Sequence, residues 1–205
     1  MKLSEGLKLE MGRGTKIKIP DCSRNDLPEL FKERGYKVGA EVGVCRGLFS
    51  EILCKGGFKM YGIDAWTMLH DYVHPKGQAR LDQQYEETKA RLAAFDYTLI
   101  RKKSMDAVED FEDESLDFVY LDANHHFKSI AEDIVEWTKK VRKGGIVSGH
   151  DFFYSRKKGE NAIHVRWVVE AFVSAYDIKP LFVLGRTKQK DKWPSWMFIF
   201  LFSTT

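Results

Sequence analysis

Two short segments gather residue types that can do chemistry: Leu121-Asp122-Ala123-Asn124-His125-His126-Phe127 and Gly149-His150-Asp151-Phe152-Phe153. Each follows an apolar run, Leu116 to Leu121 and Ile146 to Ser148, that reads as a strand. If the two strands are parallel neighbours, two carboxylates and three imidazoles converge outside their carboxyl ends, where open α/β sheets bind ligands. Oxygen and imidazole groups from separate strand ends suit a hard or borderline divalent ion, and Mg²⁺ would keep several waters or substrate oxygens in its shell. Asp122 and Asp151 are the expected metal ligands. His150 is open to three uses: ligand, donor to a bound acceptor, or packed imidazole. The competing use of all these residues is to cap helices and satisfy loop backbone.

A second constellation lies upstream. In Ala40-Glu41-Val42-Gly43-Val44-Cys45-Arg46-Gly47 a strand passes into a helix, and glycines there let the backbone approach a ligand at the turn. The next strand ends in Tyr61-Gly62-Ile63-Asp64, which places a carboxylate about twenty residues beyond the turn, where it can accept hydrogen bonds from both ribose hydroxyls. Asp64 could instead cap the element that follows. The G-x-G-x-x-G spacing that brings backbone against a pyrophosphate is absent, which argues against a nicotinamide dinucleotide.

The elements that must position these groups follow from periodicity. Helical spacing over Asp26 to Arg34 precedes a strand at Lys37 to Val44. Next come a helix near Leu48 to Cys54, a strand at Lys59 to Ile63, a helix within Ala79 to Phe95 and a strand near Tyr97 to Arg101. A short helix at Met105 to Phe111 leads to the strand before Asp122, and Phe127 to Val141 reads as a helix that Gly144-Gly145 ends. A helix over Ala162 to Tyr176 precedes two apolar runs, Leu181 to Leu184 and Trp196 to Phe202, joined as a hairpin. Strands alternating with helices imply an α/β fold with a mostly parallel sheet and helices on both faces. The closing hairpin adds one antiparallel strand to give seven.

The 205 residues, 43% of them hydrophobic, suit one compact domain over 21–205, with residues 1–20 expected as a basic, glycine-containing arm or lid outside the core. A formal charge of +3 from 33 basic and 30 acidic side chains calls for no nucleic-acid partner. Cys22, Cys45 and Cys54 have no CxxC spacing, so neither a disulfide framework nor a zinc site is expected, and a reducing cytoplasm is the expected setting. No segment reads as a signal peptide or a membrane span. The long connection Trp66 to Gln78 is a candidate lid or acceptor wall. The basic runs Arg156-Lys157-Lys158 and Lys188 to Lys192 read as solvated faces.

The turn with Glu41, Gly43 and Gly47, together with Asp64, resembles the class I S-adenosylmethionine (SAM) methyltransferases. In that family the glutamate and glycines bind the methionine end of SAM and the acidic residue holds its ribose. The resemblance implies that Asp64 and Ala65 lie at the ribose, Ser104 and Met105 beside the adenine, and Asp122 at the border of cofactor and chemistry. Asp122-x-x-His125 after the fourth strand, Lys143-Gly144-Gly145 before the fifth and Gly149-His150-Asp151 after it resemble the macrocin O-methyltransferase-like subgroup, over about Val38 to Phe153. That likeness implies Mg²⁺ on Asp122 and Asp151 and His125 as general base, acting on a hydroxyl of a small-molecule acceptor such as a sugar or polyol. This sequence departs from relatives with two acidic or amide ligands together after strand five, because His150 precedes Asp151 and Phe152 follows it. An RNA or protein methyltransferase and a non-catalytic SAM- or nucleotide-binding protein are the alternatives; a homo-oligomer is compatible with all three.

Overall fold

The computed structural model describes residues 2–10, 14–68, 77–155, 162–185 and 193–201. Eight strands form one sheet: β1 (Lys16–Ile19), β2 (Val38–Val42), β3 (Lys59–Ile63), β4 (Tyr97–Ile100), β5 (Leu116–Leu121), β6 (Val141–Gly149), β7 (Leu181–Leu184) and β8 (Ser195–Ile199). Their order across the sheet is β1-β7-β8-β6-β5-β2-β3-β4. Only β8 runs antiparallel to its neighbours, β6 and β7. Chain order runs outward from β2 through β3 to β4, then crosses to β5 and continues the other way, so the topological switch point lies between β2 and β5. Ligands bind at such a crevice, outside the carboxyl ends of the strands.

Helices cover both faces. On one lie α1 (Leu3–Glu10), α2 (Leu27–Glu33) and α3 (Leu48–Cys54), with α4 (Gly77–Leu92) against α3; on the other lie α5 (Ser104–Ala107), α6 (Phe127–Lys140) and α7 (Val165–Ala175). The central strand β5, LDFVYL, is almost wholly apolar because both its faces are covered. It sends Phe118 and Tyr120 to the α1–α3 side and Val119 and Leu121 to the α5–α7 side. Helix α6 buries Ile130, Ile134 and Trp137 at i, i+4, i+7 and carries Lys139 and Lys140 in its last turn, where cations complement the dipole.

Two expectations are corrected. Residues 1–20 do not stand outside the core: Leu3 and Leu7, one turn apart on α1, and Ile17 and Ile19 on β1 are all buried. The alternation Lys-Ile-Lys-Ile puts both isoleucines on one face, and β1 pairs parallel with β7, raising the strand count from seven to eight. Gly144-Gly145 is not a helix stop. Helix α6 ends at Lys140 and β6 begins at once, with a register irregularity opposite Leu116 and Phe118. Gly144 takes a φ of 81° there, and a side chain on Gly145 would meet the Asp117 carbonyl at 2.5 Å, so the pair forms an irregular step inside a strand. No helix among the described residues is long and apolar enough to cross a membrane.

Candidate functional site

The glycine turn leaves β2 at the switch point and is rigidly held. Gly43 has a φ of 96°, and a Cβ there would lie 2.3 Å from the Asp122 carbonyl oxygen and 2.6 Å from the Ala123 nitrogen. The glycine therefore brings the turn into contact with the end of β5, uniting the two constellations that the sequence separates by eighty residues. Gly47, at φ 68°, opens α3 and faces Thr88 of α4. Within the turn, the Cys45 carbonyl accepts from Trp66 Nε1 at 2.9 Å and from Thr88 Oγ1 at 3.0 Å. Asp64 closes the far side: its Oδ2 accepts from the Cys45 N–H at 2.8 Å and its Oδ1 from the Trp66 N–H at 3.0 Å. Burial pushes the Asp64 carboxyl up against the opposing pull of these backbone donors. Ala65 lies between, half-buried.

Glu41, next to this turn, is held by partners on α3 and β4. Its carboxylate is buried, and Oε2 accepts from Ser50 Oγ and from Tyr97 Oη, the latter at 3.1 Å. Burial raises its pKa to about 8 despite both hydroxyls. A carboxyl whose folded pKa lies above its unfolded value of about 4.5 is held protonated by folding. The contribution of Glu41 to stability is then fullest below about pH 4.5 and falls as pH rises towards about 8. Glu41→Gln, which keeps an acceptor oxygen for both hydroxyls, is expected to melt increasingly above wild type as pH goes from 5 to 8. A constant offset across that range would contradict this.

On the α5 side, Ser104 Oγ donates to Asp133 Oδ1 and accepts from Trp137 Nε1 at 2.8 Å, which fastens α5 to α6. Met105 packs half-buried against the same core. The Ser104 hydroxyl is thus taken up by α6. Asp133 is buried, which raises its carboxyl to about 7.

Of the chemical constellation, Asp122, His125 and Asp151 converge, with His150 beside them, whereas His126 stands before α6 with its ring centre 6.3 Å from that of His164. One ligand-capable atom from each of Asp122, His125 and Asp151 falls within 4.8 Å of the others. His125 Nε2 lies 3.2 Å from Asp122 Oδ1 and 3.3 Å from Asp151 Oδ2. Burial works against a charged His125, yet the hydrogen bond to Asp122 and the charges of Asp122, Asp151 and Asp133 outweigh it, and its pKa is raised. Burial likewise pushes Asp151 up, against the pull of His125 and His150. His150 stands beside this set, with Nδ1 3.4 Å from Asp151 Oδ1 and 3.9 Å from Asp122 Oδ2. Asp151 sits at φ 57°, a left-handed conformation that Asp tolerates better than most residues.

This donor set fits a divalent cation. Two carboxylates and an imidazole match the chemistry of such ions, and Asp151 Oδ1 is buried without a hydrogen bond among the described residues. Asp122 and Asp151 could hold the ion, with His125 or His150 beside them.

Two supporting residues escape sequence reading. His164, just before α7, donates its N–H to the His125 carbonyl at 2.8 Å and accepts the Phe127 N–H on Nδ1 at 3.1 Å, clamping the loop that carries His125. Arg24 places Nη1 3.2 Å from Asp122 Oδ2 across the α1–α3 face. The Ser23-x-x-Asp26 capping box around it is visible as a helix start, but nothing local says where the Arg24 side chain points. Residues 69–76 of the candidate lid, with His70 and His74, and both basic runs from 156 and 188 onward, lie outside the described residues.

Comparison with solved structures places this architecture. The chain is similar to an O-methyltransferase from Bacillus cereus in complex with SAH, with TM-score 0.62 and 14% identity over 97% of this chain and 90% of that one. It is similar to the O-methyltransferase TomG from Streptomyces achromogenes in complex with SAM, with TM-score 0.59 and 14% identity over 97% and 89%. It is also similar to the N-methyltransferase NodS from Bradyrhizobium japonicum, with TM-score 0.59 and 13% identity over 87% and 95%. Identities this low establish the fold and leave open which atom is methylated. No curated protein matches the sequence. The model of the methyltransferase domain family matches residues 40–152, more than half of the chain and the stretch that runs from the glycine turn through Asp64, Asp122 and His125 to Asp151. The chain belongs to that family and is a SAM-dependent methyltransferase of the class I fold.

Proposed function

We propose that this enzyme methylates a hydroxyl of a small polar acceptor, such as a sugar or another polyol-like compound, with His125 as general base. SAM, when bound, supplies an electrophilic methyl group on its sulfonium. The glycine turn and Asp64 are read as its seat, with Asp64 on the ribose, Ala65 alongside it and Ser104 and Met105 towards the adenine. The observation that carries the reading is the placement of His125 Nε2 between Asp122 and Asp151, on a strand end that touches the glycine turn through Gly43.

A hydroxyl is a poor nucleophile until its proton is removed or its oxygen is held by a cation. With Nε2 donating to Asp122, His125 takes that proton on its other ring nitrogen, and the imidazolium so formed is stabilised by Asp122 Oδ1 and Asp151 Oδ2, both within 3.3 Å of Nε2. One nitrogen cannot both ligate a metal and accept a proton. With His125 as base, Asp122 and Asp151, with His150 available, are left to hold Mg²⁺, which would orient vicinal oxygens of the acceptor. His164 fixes the His125 loop, so the base is positioned before the acceptor arrives, and such positioning supplies much of the rate.

The test is an acceptor screen with purified protein and SAM, offering sugars, vicinal diols, phenols, amines and RNA and reading product mass together with SAH release. Methylation of a hydroxylated small molecule is the expected result. Turnover only with amines or RNA would overturn the O-methyl reading while leaving the methyltransferase assignment in place.

A further inference from the structure

The groups around Asp122 raise a question that the metal ligands alone do not answer, since a cation from the protein already sits there. Arg24 belongs to the short turn Arg24–Asp26, which is pinned at its start: the Ser23 N–H donates to Asp26 Oδ2 at 2.7 Å and the Asn25 N–H to Ser23 Oγ at 3.3 Å. From this fixed base the guanidinium carbon lies 5.0 Å from the centre of the Phe49 ring, and Phe49 packs in turn on Tyr120 of β5, with ring centres 4.4 Å apart. The shelf so formed delivers Nη1 to Asp122 Oδ2 at 3.2 Å, on the oxygen that His125 leaves uncovered. Among the described residues, Arg24 is the one permanent cation paired with either carboxylate of the site.

We propose that Arg24 is the built-in counter-cation of this site and competes with a divalent metal for Asp122. The inference rests on the reading that Asp122 and Asp151 can hold such an ion. Asp122, Asp151 and Arg24 sum to one net negative charge; a divalent ion bound beside Arg24 turns that sum into one net positive charge, whereas without Arg24 it would bring the sum to neutrality. Coulomb repulsion between a guanidinium and a divalent ion sharing one carboxylate is strong where water is partly excluded. Arginine cannot relieve it by losing its proton. Arg24 on Asp122 therefore opposes metal entry, and it supplies one positive charge to the site without a metal.

Titration with Mn²⁺, followed by the loss of the free-ion electron paramagnetic resonance signal, tests this on the full chain as wild type, Arg24→Met, Arg24→Lys and Asp151→Asn. Methionine keeps an unbranched side chain on Phe49 without the charge, and lysine keeps the charge. Arg24→Met is expected to bind Mn²⁺ more tightly than wild type by on the order of tenfold or more, Arg24→Lys to stay close to wild type, and Asp151→Asn to lose binding. Equal affinity in wild type and Arg24→Met, with Asp151→Asn still losing the ion, would overturn the role of Arg24 and leave the metal reading standing. Tightening by lysine as great as by methionine would also overturn it, because charge would then not be the cause. Absence of Mn²⁺ binding in all four proteins would remove the metal reading and this inference together.

Discussion

His125→Ala is expected to lower turnover on the true acceptor by roughly 10²- to 10⁴-fold, the range in which a positioned general acid or base contributes. Affinity for S-adenosylhomocysteine should be unchanged, because the cofactor groups belong to the turn after β2 and to Asp64. The substitution leaves neither neighbouring carboxylate bare: Asp122 keeps Arg24, and Asp151 keeps His150 at 3.4 Å. Folding should therefore survive, which a melting curve checks. Wild-type turnover in this variant would remove His125 from the mechanism, and a matched loss of cofactor binding would show that its role is structural.

Gly43→Ala is expected to damage both halves of the site at once. The new methyl would sit 2.3 Å from the Asp122 carbonyl oxygen, a backbone atom that cannot swing aside, at a φ of 96° that L-residues rarely adopt. Left-handed strain and overpacking together cost on the order of 3 kcal/mol. For a chain of this size that corresponds to a melting temperature lower by roughly 6 to 12 °C. Relief requires β2 and β5 to separate at their carboxyl ends, moving the turn away from Asp122. Cofactor affinity and turnover should then fall together, in contrast to His125→Ala. A variant that melts and binds like wild type would show that this contact is not tight.

The groups at the strand ends were legible because each follows a strongly apolar strand, and a parallel sheet sends such ends to one edge. Asp122, His125 and Asp151 meet for that reason, although the last lies 29 positions beyond the first. Residues whose role depends on the opposite face of a strand were not legible. Glu41 stands within the glycine motif, yet the hydroxyls that engage its carboxylate come from Ser50 and Tyr97, which lie 9 and 56 residues further along the chain. Arg24 is a surface residue by composition and becomes part of the site only because α3 offers Phe49 as a shelf. The N-terminal segment misled through its lysines and glycines. Its burial resides in four residues, Leu3, Leu7, Ile17 and Ile19, spread over two elements, each too short to give a strong periodic signal alone. The irregular step at Gly144-Gly145 shares its local sequence with a helix stop, and only the pairing of β5 with β6 distinguishes them.

The most direct test of the central claim is calorimetric titration of wild-type protein and Asp64→Ala with S-adenosylhomocysteine and, separately, with NAD. The account predicts micromolar binding of the thioether by wild type, a loss of about tenfold or more in Asp64→Ala once the ribose hydrogen bonds are removed, and no binding of NAD. Binding of NAD, failure to bind the thioether, or equal thioether affinity in the two proteins would contradict it.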